Sequence, residues 1–155
     1  MQPLTEKVLK SELRDVFTDV DVVNLLGNVT DSKRYALLKR ALAAGEIVRI
    51  KRGLYMLAQP FRRRKPDLFS LAARIYGPSY ISLESALGAH GWLPERVLVI
   101  TSGVFKRSRS FSTPLGRFEF RKTPFRDLAG VERVVPGEED AYLLASPLRA
   151  LADMA

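Results

Sequence analysis

Apolar residues recur at helical spacing from the start of the chain. Leu9, Leu13, Val16 and Phe17 predict an amphipathic helix over roughly residues 4–17. A shorter apolar stretch, Val20–Leu26, follows Thr18 and stops at Gly27-Asn28, a helix-ending signal. Thr30-Asp31-Ser32 supplies N-cap chemistry for a third helix that runs to about Ala44, with Gly45 as its C-cap. In EIVRIKRGLYMLA the period then changes to two. Val48 and Ile50 alternate with Arg49 and Lys51, which predicts one packed face and one basic face. Two short β-rich runs join at Lys51-Arg52-Gly53, where Gly53 permits the positive φ of a tight hairpin.

From Asp67 onwards the pattern is mixed. Leu68, Leu71, Ala72 and Ile75 predict a helix ended by Gly77-Pro78, and Ser82 caps a second helix, Leu83–His90, ended by Gly91. Val97–Thr101 is a continuous apolar run that suits a buried strand. In RFEFRK (117–122), Phe118 and Phe120 alternate with Arg117, Glu119 and Arg121. Glu138-Glu139-Asp140 favour a helix N-terminus. Ser146-Pro147 suit the first turn of a last helix carrying Leu148, Leu151 and Ala152. The expected class is α+β, with a three-helix-and-hairpin unit of the winged helix-turn-helix type followed by a small mixed α+β unit.

Charge separates these two units. Residues 33–65 hold eleven Lys or Arg and one acidic residue, a local excess of +10 in a chain of net charge +8. Residues 1–65 sum to +7 and residues 66–155 to +1. Within the second unit the charge is banded, with +7 over residues 96–126 and −4 over residues 127–155. Such asymmetry suggests two units with different duties, and a strongly basic unit points to a polyanion such as nucleic acid.

On the third helix, at about 100° per residue, Tyr35, Leu38, Ala41 and Leu42 fall on one face and are expected to pack on the first two helices. Lys33, Ala36 and Arg40 lie opposite, with Ser32, Lys39 and Ala43 at the edges. A solvated surface helix has the same pattern. The basic-tipped hairpin that follows is what favours a helix pressed into a DNA groove with a wing on the backbone. On that reading Arg49, Lys51, Arg52 and Arg34 contact phosphates, while Ser32, Lys33, Ala36 and Arg40 reach base edges. Lys39 borders the same face. Arg62, Arg63, Arg64 and Lys65, in the proline-bounded stretch QPFRRRKP, form either a solvated linker or a phosphate-tracking extension. Lys106, Arg107, Arg109, Arg117, Arg121 and Lys122 form a second basic surface in the later unit, for DNA or an acidic protein, unless they are an ordinary solvated sheet face. The expected boundaries are 1–60 for the winged helix, 61–66 for a basic linker and 67–155 for the second domain.

Several chemistries find no support. The chain has no cysteine, which removes disulfides, thiolate chemistry and cysteine-ligated metals. His90 is the only histidine, and its place between Ala89 and Gly91 suits a helix-end residue bonded to a carbonyl. No paired carboxylates, glycine-rich phosphate loop or nucleophile elbow appears, so no catalytic residue, metal or cofactor is assigned. The start, MQPLTEKVLKSEL, lacks the apolar core of a signal peptide, and no run of about eighteen apolar residues exists to span a bilayer. A cytoplasmic protein without a membrane partner is the expectation.

Three stretches resemble a known family. Arg52-Gly53-Leu54-Tyr55 is similar to a wing sequence; Tyr80-Ile81-Ser82 through Ala86, then His90-Gly91, to a "YIS…SAL…HG" stretch; and Ala145-Ser146-Pro147-Leu148-Arg149-Ala150-Leu151-Ala152-Asp153 to an "A-x-P-x-KALxD" helix. Together, in this order and spacing, they resemble the AbiEi-type antitoxins of type IV toxin–antitoxin (abortive phage infection) systems. Leu148 and Arg149 stand where the family pattern has an acidic residue and a lysine. Family members commonly continue beyond this helix, whereas the chain stops at Ala155. The resemblance implies a winged helix that binds promoter inverted repeats in double-stranded DNA and represses its own operon. It also implies an antitoxin domain that assists DNA binding and neutralises a nucleotidyltransferase-like toxin without a stable complex. The alternative is a stand-alone winged-helix regulator of defence genes with no toxin. A nuclease, motivated by charge alone, is the third reading.

Overall fold

The computed structural model describes residues 1–95, 97–137 and 140–155. Over these the protein is mixed α+β, with six α-helices and two β-sheets. The chain divides into two compact units, Met1–Lys65 and Pro66–Ala155.

In the first unit, α1 spans Pro3–Lys10, β1 Val16–Thr18, α2 Asp19–Leu26, α3 Asp31–Ala43, β2 Ile47–Lys51 and β3 Leu54–Leu57. A 3-10 turn, Gln59–Phe61, follows. The helix expected over 4–17 is thus shorter, because Ser11 ends it. The Ser11 amide and hydroxyl both donate to Val8 O (3.2 and 2.8 Å). Val16-Phe17-Thr18, β-branched and aromatic, then pair as a strand with β3, and Phe17 is fully buried. The helical spacing of Val16 and Phe17 was coincidental, since a period read over few residues does not separate helix from strand.

Sheet order is β1-β3-β2, antiparallel throughout. Phe17, Ile47, Tyr55 and Leu57 on one sheet face pack with Leu4, Val8, Val22, Leu26, Leu38 and Ala41 of the helices. Thr18 closes β1 and caps α2 in a reciprocal box: its hydroxyl accepts from Asp21 N, and Asp21 Oδ2 accepts from Thr18 N. Thr30 caps α3 by accepting from Lys33 N, and Gly45 turns the chain at φ 71° into β2.

The second unit is a six-stranded sheet with helices on both faces. Its elements are α4 Leu68–Ile75, β4 Ser79–Ile81, α5 Leu83–Ala89, β5 Ile100–Val104, β6 Arg109–Thr113, β7 Gly116–Lys122, β8 Val131–Val134, β9 Tyr142–Ala145 and α6 Pro147–Met154. Strand order is β6-β7-β5-β4-β9-β8, with β4–β9 and β5–β7 parallel and the other pairs antiparallel. Tyr76, at the end of α4, packs edge-on to Phe120 of β7 on one face. On the other face the Tyr80 hydroxyl reaches α6. The buried strand lies at Ile100–Val104, three residues later than the apolar run predicts. Glu138-Glu139 lie outside the described residues, as does Arg96. No helix starts at Asp140, because the chain enters β9 at Tyr142 to pair with β4.

A buried polar network joins this unit's segments. The Arg149 side chain is 5% exposed and that of Asp153 0%. Arg149 uses all five N–H donors: Nε to Asp153 Oδ1, one terminal nitrogen to Asp127 Oδ1 and Ala129 O, the other to the Tyr80 hydroxyl and Asp127 O, at 2.7–3.2 Å. Asp153 Oδ2 accepts from Tyr80 (2.8 Å) and Ser82 (2.6 Å). Ser82 is therefore not the side-chain cap of α5 that its position predicts. Thr101 of β5 takes over, accepting from Ser85 N and donating to Ser82 O. His90, at the end of α5, bonds a carbonyl as expected, with Nε2 2.9 Å from Ala145 O, a carbonyl of β9 rather than of its own helix. Burial raises the Tyr80 phenol above its usual range.

Arg149→Ala strands a buried carboxylate and should cost about 3–5 kcal/mol in urea unfolding. The Arg149→Ala/Asp153→Ala double variant should cost less than the sum of the two singles. Gly103 lies under the Tyr80 ring, and a Cβ there would sit 2.5 Å from Tyr80 Cζ. Gly103→Ala should lower stability by about 1–3 kcal/mol, read in the same assay.

Candidate nucleic-acid interface

α3 buries Leu38 and Ala41, with Leu37 and Leu42 packed at the margins. Its outward arc runs Tyr35, Lys39, Ser32, Ala43, Ala36, Arg40, Lys33 by helical angle. All of these are exposed except Ala36, which is half-buried. Small side chains thus occupy the middle of the arc, and cations flank them. The expectation that Tyr35 packs inward is corrected, since it is 69% exposed. It lies about 60° round the helix from Leu38, past the reach of α1 and α2. Arg34 is half-buried and pairs with Asp31 at 2.9 Å, so its guanidinium is partly neutralised.

The hairpin departs from simple alternation. Ile47 and Ile50 are buried while Val48 is half-buried, because the register shifts between Arg49 and Lys51. Val48 and Ile50 therefore do not make the single packed face that the period predicts. At the tip, Gly53 has φ 81°, and its carbonyl accepts from Asp19 N (3.1 Å). A Cβ on Gly53 would lie 3.3 Å from Asp19 Oδ2, so the turn rests on the start of α2. Tyr55, buried in β3, has its phenol pushed up by desolvation and then by a hydrogen bond with Asp19.

The expected DNA-contacting cations fall into three places. Lys33, Arg34, Lys39 and Arg40 are on α3, and Arg49, Lys51 and Arg52 are on β2 and the hairpin turn. Arg62 to Lys65 lie at the opposite end of the sheet, about 15 Å along β2 at 3.3 Å per residue. Part of that stretch is not free linker. Arg62 Nε donates to Leu57 O (2.8 Å), and Asp15, for which the sequence gives no signal, clasps the next residue. Its carboxylate accepts from Arg63 N and Nε (both 2.9 Å) and from Arg64 N (3.3 Å), while Arg63 also bonds Leu13 O.

In the second unit the basic band splits between the two faces of the sheet. Lys106 and Arg109 sit over the Tyr76 ring, at 4.2 and 5.4 Å from its centroid, and Tyr76 donates to Arg107 O. Arg117 and Arg121 lie on the other face, paired with Glu119 (3.1 and 3.3 Å), and Arg121 also with Glu84 (3.7 Å). Lys122 is exposed at the end of β7, its amide bonded to Ser108 Oγ. The band is thus no single basic surface. The Glu119 carboxyl is held below its usual range by Arg117 first and Arg121 next.

Among the described residues no group of three or more His, Asp or Glu is placed to hold a metal ion, and no helix is long and apolar enough to cross a membrane. The Arg63–Asp15 pair is partly exposed, so Asp15→Ala should cost only about 1 kcal/mol. It should nonetheless speed tryptic cleavage within 62–65 several-fold; an unchanged rate would mean the carboxylate does not hold this stretch. No protein-family model matches the chain, and no curated protein matches it in sequence.

Proposed function

We propose that the protein binds double-stranded DNA through a winged helix-turn-helix formed by residues 1–60, and acts as the antitoxin and autorepressor of a type IV toxin–antitoxin operon. The observation that carries the DNA-binding part is the outward arc of α3, where Ser32, Ala36 and Ala43 leave room for close approach and Lys33, Lys39 and Arg40 flank them. A low central profile with cationic margins suits a helix seated in a groove. The order α1-β1-α2-α3-β2-β3, with β1 joining the hairpin, supports the winged-helix assignment. In this reading Lys33 and Arg40 work in the groove, and Lys51 and Arg52 contact backbone phosphates. Arg62 and Arg63 hold the end of the unit through Leu57 and Asp15, which gives them a supporting role in place of a DNA-facing one.

The toxin-neutralising part rests on the resemblance. Tyr80, Ser82, His90, Arg149 and Asp153, which carry it in the second unit, are all bonded within that unit. Arg149, standing where the family pattern has lysine, is a buried structural cation. Because these residues support the unit's own fold rather than present a partner surface, a stand-alone regulator without a toxin is the second reading. No catalysis is assigned in either.

An electrophoretic shift on the chain's own upstream region tests the first part. Lys33→Ala/Arg40→Ala/Lys51→Ala/Arg52→Ala should abolish the specific shift at about 0.15 M salt. For each phosphate no longer neutralised, the slope of log affinity against log salt should become shallower by about 0.9. Unaltered binding would overturn the surface. Rescue of growth when the protein is co-expressed with a neighbouring nucleotidyltransferase-like gene separates antitoxin from stand-alone regulator.

A further inference from the structure

The bulge in β2 decides which way the hairpin cations face. Residues two apart on a regular strand share a face, which would put Arg49 and Lys51 side by side. In the structure Arg49 stands opposite Tyr55 and Lys51 opposite Leu54, with the register shift between them. Directly opposed residues share a face, and Tyr55 and Leu54 are neighbours on β3, so Arg49 and Lys51 lie on opposite sides of the sheet. The Tyr55 side is the one that packs under the helices, together with Phe17, Ile47 and Leu57. Arg49 is therefore an exposed cation on the helix side of an edge strand that contacts α3. Tyr35, on the N-terminal half of α3, is the large exposed side chain of the outward arc. Arg49 faces Tyr55 across the ladder, and Tyr35 is also among the groups placed near the Tyr55 phenol.

We infer that Arg49 and Tyr35 form a specificity-determining edge of the interface, meeting base edges of duplex DNA beside α3 rather than backbone phosphates. A guanidinium matches guanine O6 and N7, and an exposed ring suits a thymine methyl. The bulge at Ile50 is the device that moves Arg49 from the phosphate set to the base-reading set; bulges commonly re-aim a side chain next to a functional site. This inference rests on the DNA-binding reading.

Selection of binding sites from a random duplex library, combined with salt titration of the winning sequence, tests it. Wild type, Arg49→Ala, Arg49→Gln, Tyr35→Ala and Arg52→Ala are compared. Both Arg49 variants should lower the ratio of specific to non-specific affinity by about 5- to 150-fold and relax preference at one or two positions. Their salt slope should stay near that of wild type. Tyr35→Ala should relax preference at an adjoining position. Arg52→Ala should weaken all sequences alike, with a slope shallower by about 0.9. If the Arg49 variants behave as Arg52→Ala does, with the selected sequence unchanged, the inference is overturned and the DNA-binding reading stands. Failure of the wild-type protein to bind any duplex overturns both.

Discussion

The pairing of Val16–Thr18 with Leu54–Leu57 is the constraint on which the first unit depends. A two-residue-tipped hairpin alone is marginal in water, and a third strand with a covered face makes it a stable sheet. β1 supplies that strand and buries Phe17 against the helices. Its last residue, Thr18, is also the N-cap of α2, and the next amide, Asp19 N, bonds Gly53 O at the hairpin turn. Helix start and hairpin tip are thus tied at one point, which sets the hairpin turn against the start of α2.

The second unit depends on a buried ion pair. Arg149 has every donor used and Asp153 accepts three hydrogen bonds, so neither charge is stranded. Such a pair stabilises little relative to well-packed apolar residues, yet it tolerates few alternatives, because each partner left alone is costly. It gathers β4, the start of α5, the 127–129 loop and α6. The Tyr-Ile-Ser and Pro-Leu-Arg-Ala-Leu-Ala-Asp stretches that carry the family resemblance meet there, although Ser82 and Asp153 stand 71 residues apart in sequence. The role of these motifs is first of all architectural.

Local chemistry was legible where a cap or stop residue acts on its own neighbours. Thr30 and Ser146 cap helices, Gly27, Gly45 and Gly53 turn with positive φ, and Phe118 and Phe120 bury by simple alternation. What failed involved partners distant in sequence. Val16 and Phe17 are a strand only because β3 offers an edge. Ser82 gives up its capping role because its hydroxyl donates to Asp153. The strands β4, β6, β8 and β9 are each three to five residues long, too short to show a period. Four consecutive cations beside a proline read equally as a linker or a phosphate-tracking stretch until Asp15, 48 residues earlier, is found holding Arg63.

The sequence by itself determined the charge of each unit, the three helices and hairpin of the first, and the small-residue stripe of α3 with its cationic margins. These follow from composition and from contacts within a turn or two. Only the tertiary structure decided which cations stand together. Arg117 and Arg121 meet Glu119 and Glu84, Lys106 and Arg109 meet an aromatic ring on the opposite face, and one bulged residue separates Arg49 from Lys51. Charge is a property of residues, but a binding surface is a property of faces. Faces are set by register and packing, which no local pattern encodes.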